Sequence, residues 1–403
     1  MKQSRAWWQE RSRGFLSESA RLVQDRLGGE TVEAVFVCGS FAAGDETIVL
    51  ETSPPILLSD VDLVVVVASL EDLFKWRSKR AELGAACETL MRDVVFSGRV
   101  DVGVMLAKDL AELPARPGVC DMRRRGIVLG GDPRILELIP NYSPHDIMGR
   151  EALALIENRV MSLIDSKIRR QGLDTLYSYP RLYRIARVYT DIGTAALSIA
   201  GAYVTGYGER CRLIRAKISE GDGLVSALVR TEIRGAMDRW TRFKLDPSIE
   251  AAGSSAEPEA MEELWENAAR DIVFFWRQAA THLVDPQREL SKPLPLDALI
   301  GRMHTYHSWR NHARSWREYL SGSPASRRMA FASTLGMRLF STSPLDEVRE
   351  EGVRLLEHLL SLGSATSISG APGGFPHHGG EWGRVAAELC AIWNELEFGR
   401  ANG

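Results

Sequence analysis

The stretch Ser59-Asp60-Val61-Asp62, running into Leu63-Val64-Val65-Val66-Val67, constrains the fold of this chain more than any other. An unbroken apolar run rich in valine is the pattern of a strand buried on both faces. Successive side chains of a strand alternate, so residues two apart share a face. Asp60 and Asp62 therefore aim two carboxylates at one point, at the mouth of a buried strand. Like charges that close raise each other's pKa unless a cation lies between them. A donor set made only of oxygen suits a hard ion such as Mg²⁺.

Upstream, Val35-Phe36-Val37-Cys38-Gly39-Ser40 is a short apolar strand ending in Gly-Ser, followed by small residues up to Gly44. Strand-to-helix turns of this kind let backbone approach a phosphate and offer it free N–H groups. A phosphate cradle beside two carboxylates is a site for chemistry on a nucleoside triphosphate. The third carboxylate is expected on a neighbouring strand. Arg99-Val100-Asp101-Val102-Gly103-Val104-Met105 is apolar apart from Asp101 and Arg99. A lone Asp in a core strand is costly unless it is paired or coordinated. The competing explanation is an ion pair with a nearby Arg. Glu88 and Asp93 are weaker rivals, because they fall on or just after a predicted helix.

The first part of the chain alternates strands and helices. Helices are predicted over residues 1 to about 30 and 70–92, and strands over 34–38, 61–68, 100–106 and 126–132. From Ser143 the texture becomes helical, with segments expected at 146–170, 180–203, 208–218, 222–244, 259–282, 294–319, 325–339, 344–362 and 381–397. Stretches rich in Gly, Ser, Ala and Pro at 246–258 and 363–380 mark sub-boundaries. The expected fold class is thus α+β: a small mixed-sheet unit over 1–142 and a long all-helical region over 143–403.

Gly39-Ser40, Asp60-x-Asp62 and the later lone Asp101 resemble the signature of the nucleotidyltransferase superfamily, which includes DNA polymerase β, the aminoglycoside nucleotidyltransferases and the minimal antitoxin-type transferases. The resemblance covers about the first 140 residues, and the strand at Gly126–Gly131 with Leu129 is similar to the strand that closes this fold. The interval from Ser40 to Asp60 is longer than is usual in the family. Its excess, Asp45 to Leu58, holds two β-like runs around Thr52-Ser53-Pro54-Pro55 and reads as an inserted hairpin or flap. The resemblance implies that Asp60 and Asp62 hold two Mg²⁺ ions, that Asp101 serves the acceptor-side ion and helps deprotonate the incoming hydroxyl, and that Gly39 and Ser40 receive the phosphates of an NTP. The NMP group would pass to a hydroxyl-bearing acceptor with release of pyrophosphate. A small molecule is the favoured acceptor. A protein, a tRNA end or a second nucleotide is the alternative, and an inactive nucleotide-binding scaffold is the rival from another class.

In the helical region, Arg181, Arg184 and Arg187 stand three apart and drift round one helix face, as possible phosphate or acceptor contacts or as a solvated basic face. Asp191 reads as the i−4 partner of Arg187 rather than as a base. Tyr183, Tyr189 and Tyr203 read as packing residues. His304, His307 and His312 lack a matching carboxylate or Cys for a metal site, and His377-His378 sits in a Gly/Pro loop. Gly130-Gly131 is a turn and not a dinucleotide fingerprint.

Net charge is −3, so bulk charge does not announce a nucleic-acid binder, and nucleic acid is not the favoured partner. Five scattered cysteines without a C-x-x-C pair, an N-terminus without an apolar stretch and no span-length apolar run predict a cytoplasmic protein with no membrane partner. Oligomeric state is left open.

Overall fold

A computed structural model describes residues 3–92, 94–168, 175–248, 250–252, 258–295 and 298–299. It is a mixed α+β protein with one small mixed sheet and many helices. Helix α1 (Arg5–Leu27) starts at Ser4, whose hydroxyl accepts from the Trp7 amide, and ends at Gly28, whose positive φ of 89° suits a residue without Cβ. Strand β1 (Val32–Cys38) and the short helix α2 (Gly39–Ala43) follow. Then come β2 (Ile48–Val49), β3 (Ile56–Leu57) and β4 (Val61–Val67).

The helix predicted over 70–92 is two helices, α3 (Leu70–Arg77) and α4 (Arg80–Met91). Apolar spacing runs through the junction at Ser78–Lys79, so periodicity does not reveal the bend. After it, α4 lies close over strand β5 (Val100–Leu106), near enough that a Cβ on Gly84 would fall 2.5 Å from the Val100 carbonyl oxygen. Two helices, α5 (Ala107–Ala111) and α6 (Pro117–Arg125), lead to β6 (Ile127–Gly131).

The main sheet has the order β5-β4-β1-β6, with β4 parallel to β5 and β1 antiparallel to both β4 and β6. Period-two alternation sends Val35, Val37, Leu63 and Val65 into a core with α1, α3 and α4. Ala34, Phe36, Val64 and Val66 go to the opposite face, under Leu110 of α5 and Val119 of α6. Asp60, Asp62 and Asp101 have the parity of this second face, beyond the end of its apolar cover.

The described helical region comprises α7 (Gly149–Ile168), α8 (Thr175–Ile199), α9 (Tyr207–Ser219), α10 (Gly223–Leu228), α11 (Thr231–Leu245) and α12 (Pro258–Val284). The single helix expected over 222–244 is interrupted between α10 and α11 at Val229–Arg230. The helices expected at 325–339, 344–362 and 381–397, nearly all of 294–319, and the histidines His304, His307, His312, His377 and His378 lie outside the described residues.

The hairpin expected between Asp45 and Leu58 is present as β2 and β3, paired Ile48 to Leu57 and Val49 to Ile56. It joins the two parts of the molecule. Ile48 and Leu57 pack into the core around the sheet, while Val49 and Ile56 pack into the helical core with α7, α8, α11 and α12. Glu46, at its entry, is buried, accepting from Trp8 Nε1 at 2.9 Å and pairing with Arg5 at 2.8 Å. A second tie runs through Asp121 of α6, which accepts from Tyr203 at 2.6 Å and from Arg210 at 2.5 Å. No described helix is long and apolar enough to cross a membrane.

Candidate active site

Because β1 runs antiparallel to β4 and β5 runs parallel to it, the end of β1 and the starts of β4 and β5 meet at one end of the sheet. Asp62 is registered against Cys38 on one side and against Asp101 on the other. Asp60, two residues before Asp62, shares their face. The structure thus brings Asp60, Asp62 and Asp101 together, with Gly39 and Ser40 one step beyond Cys38.

Their electrostatics are unequal. Burial, then Asp60 and Asp101, raise the Asp62 carboxyl to about 6 against the opposing pull of Arg187 and Arg99. Burial also raises Asp60, with Asp101 adding to the rise, while Arg187, Arg99 and Arg159 pull it back. Asp101 differs from the sequence expectation of an acid in a core strand. β5 is an edge strand, its Asp101 side chain is 45 % exposed, and it pairs with Arg99 on the same face at 2.8 Å. That is the ion pair which competed with a catalytic role. Among the described residues, no three His, Cys, Asp or Glu side chains are closed up into a metal-holding group.

Gly39 has φ +67°, and a Cβ there would fall 2.2 Å from Asp62 Oδ2. Only glycine leaves room for this carboxylate beside the turn. Ser40 lies in the first turn of α2, partly exposed.

The helical region faces the acids with α8. Arg187 donates to Tyr183 Oη at 3.2 Å and lies 4.0 Å from Asp191. Asp191 is buried and held more closely by Arg159 of α7. The i−4 pairing of Arg187 and Asp191 is therefore present, but as part of a trio with Arg159. Arg181, Arg184 and Arg187 do not form one phosphate-facing row. At about 100° per residue, Arg181 and Arg187 point about 120° apart. Arg181 lies 3.8 Å from Glu262 of α12, Arg184 is partly buried, and the positive charge of Arg187 acts on both Asp60 and Asp62.

Two of the three tyrosines are packing residues as expected. Tyr189 stacks on Trp240 and donates to Asp271, and Tyr203 is buried against Asp121. Tyr183 departs from that reading, since its hydroxyl meets both Arg187 and, at 3.4 Å, Ser59 Oγ. Burial pushes the Tyr183 phenol up, yet Lys244, Arg187 and the Ser59 hydrogen bond outweigh it and hold it below its usual range.

Sequence reasoning missed Lys244, Tyr207 and Arg159. Lys244 reads locally as a cation in the last turn of α11, a common dipole partner. Its one signal is phase: Lys244 continues the buried stripe of Ile233, Met237 and Trp240 at helical spacing. Its ammonium reaches Ser59 Oγ at 3.1 Å and lies over the rings of Tyr183 and Tyr207 at 5.3 and 5.1 Å.

Comparison of the chain with protein-family models, with curated proteins and with solved structures gave no match.

Proposed function

We propose that this protein is a metal-dependent nucleotidyltransferase that moves an NMP group from an NTP to a hydroxyl-bearing acceptor and releases pyrophosphate. One observation carries the reading. Asp60 and Asp62 share a face at the strand end where Gly39-Ser40 turns, and the positive field of Arg187 reaches them from the helical region. Carboxylates whose pKa values are raised by burial and by neighbouring carboxylates are poised to take up a cation. Their oxygen-only donor set fits Mg²⁺, which would offset their repulsion and polarise the phosphate. Asp101 joins that set by leaving Arg99.

In the proposed reaction an acceptor oxygen attacks the α-phosphorus, the bond from phosphorus to the bridging oxygen breaks, and the pair of electrons leaves with pyrophosphate. The acceptor proton passes to Asp101 or to water. Ser40 donates to the phosphate tail, and Gly39 keeps the backbone close to Asp62. Arg187 supplies the cation that the tail would meet on the helical side. A small hydroxylated molecule is the acceptor class we favour. Protein, tRNA and a second nucleotide are the other arms of the test.

The Arg99–Asp101 pair favours a second reading, an NTP-binding scaffold without turnover. Pyrophosphate release from each of four NTPs, with and without Mg²⁺, separates the two when wild type is compared with Asp60→Ala/Asp62→Ala and acceptors are screened by mass spectrometry. Metal-dependent release lost in the folded double variant supports transfer. NTP binding without release by wild type on any acceptor establishes the scaffold.

A further inference from the structure

Lys244 is 0 % exposed, and its ammonium donates to the Asp45 carbonyl and to Ser59 Oγ, each at 3.1 Å. Among the described residues it has no carboxylate within ion-pair distance. Burial holds its ammonium below the usual lysine range, with Asp45 and Glu46 opposing from beyond that distance. A cation buried without a direct ion pair is costly, and a methionine of similar length would avoid the cost. Stability alone therefore accounts poorly for a lysine here.

What the lysine holds is the junction from which the acidic strand begins. Ser59 immediately precedes Asp60, and it is 1 % exposed. Its Oγ accepts from Lys244 and also from the Thr47 amide at 2.8 Å, which fills both of its acceptor positions. Its own proton is thereby directed to Tyr183 Oη, 3.4 Å away, which also accepts from Arg187. The main chain of Lys244 grips the same place, its carbonyl accepting from Thr47 Oγ1 at 2.8 Å. One residue of α11 thus ties the hairpin entry at Asp45 and Thr47, the base of β4 at Ser59, and α8 through Tyr183.

We infer that Lys244 is a positioning residue: by holding Ser59 and the Asp45 carbonyl from the helical region, it fixes the backbone that presents Asp60 beside Asp62. Neighbouring carboxylates repel, and the strand mouth would relax to separate them were it not clamped on the side away from the sheet. This inference rests on the carboxylate pair being the working site, and it adds the residue that holds the pair in register.

The test uses the full chain with Lys244→Met and Ser59→Ala. Three quantities are read: urea stability, hydrogen exchange of peptides covering 45–62 against those covering 32–37, and Mn²⁺ affinity together with kcat and the NTP KM. The expected result for Lys244→Met is a folded protein at least as stable as wild type, with faster exchange confined to 45–62. Mn²⁺ affinity is expected to fall about tenfold, as for other supporting residues of metal sites, and kcat to fall more than KM rises. Ser59→Ala should move the same quantities in the same direction by less. Wild-type exchange and Mn²⁺ affinity in folded Lys244→Met overturn the inference. Should that variant fail to fold, the same wild-type behaviour in Ser59→Ala overturns it. If wild type neither binds Mn²⁺ nor turns over NTP, the proposed function fails, while exchange at 45–62 still decides whether Lys244 holds the strand mouth.

Discussion

Replacing Asp62 by asparagine should stabilise this protein, and should do so only where the carboxyl is ionised. Raising a carboxyl from the ordinary 3.8 to about 6 corresponds to about 3 kcal/mol between its protonated and ionised forms. The folded protein keeps this proton to higher pH than the unfolded chain does. The group therefore costs nothing below the unfolded value; the penalty grows as pH rises from about 4 to about 6 and is complete above that. An asparagine at this position has no proton to lose. Asp62→Asn should match wild type near pH 4 and exceed it by up to about 3 kcal/mol near pH 8, measured by urea unfolding in EDTA. Millimolar Mg²⁺ near pH 8 should close part of the gap by stabilising wild type more than the variant. A variant less stable than wild type near pH 8, or a difference between the two that does not change with pH, refutes this account of the carboxyl.

Gly39→Ala places a methyl group where Asp62 Oδ2 lies and strains a positive φ; it should cost about 1–3 kcal/mol in thermal or urea unfolding and weaken Mn²⁺ binding. Ile56→Ala, in the hairpin that reaches into the helical core, should cost about 2–5 kcal/mol by urea denaturation. Arg187→Gln should raise the NTP KM in steady-state assays, whereas Arg181→Gln, which faces Glu262 on another side of α8, should leave it unchanged.

The alternation rule alone puts Asp60 and Asp62 on one face, because pleating is a property of the strand itself. Gly39-Ser40 and the β2–β3 hairpin were legible for similar reasons, being signalled by residues adjacent in the chain. Other features depend on which strand or helix neighbours which, and no local pattern contains that. Asp101 reads as a core acid from its apolar neighbours, but β5 is the edge of the sheet, so the side chain is half exposed and has Arg99 within reach. The hairpin's double role is equally non-local. Alternation predicts that Ile48 and Val49 face opposite ways, but only packing shows that one way leads to the sheet and the other to the helices. Lys244 is the extreme case. The chain separation from Ser59 is 185 residues, and a lysine in the last turn of a helix carries no local mark of burial. Local patterning thus set where the carboxylates and the glycine turn lie along each strand. Which cations face them was settled by packing, since charge acts through space and the partners arrive from helices far along the chain.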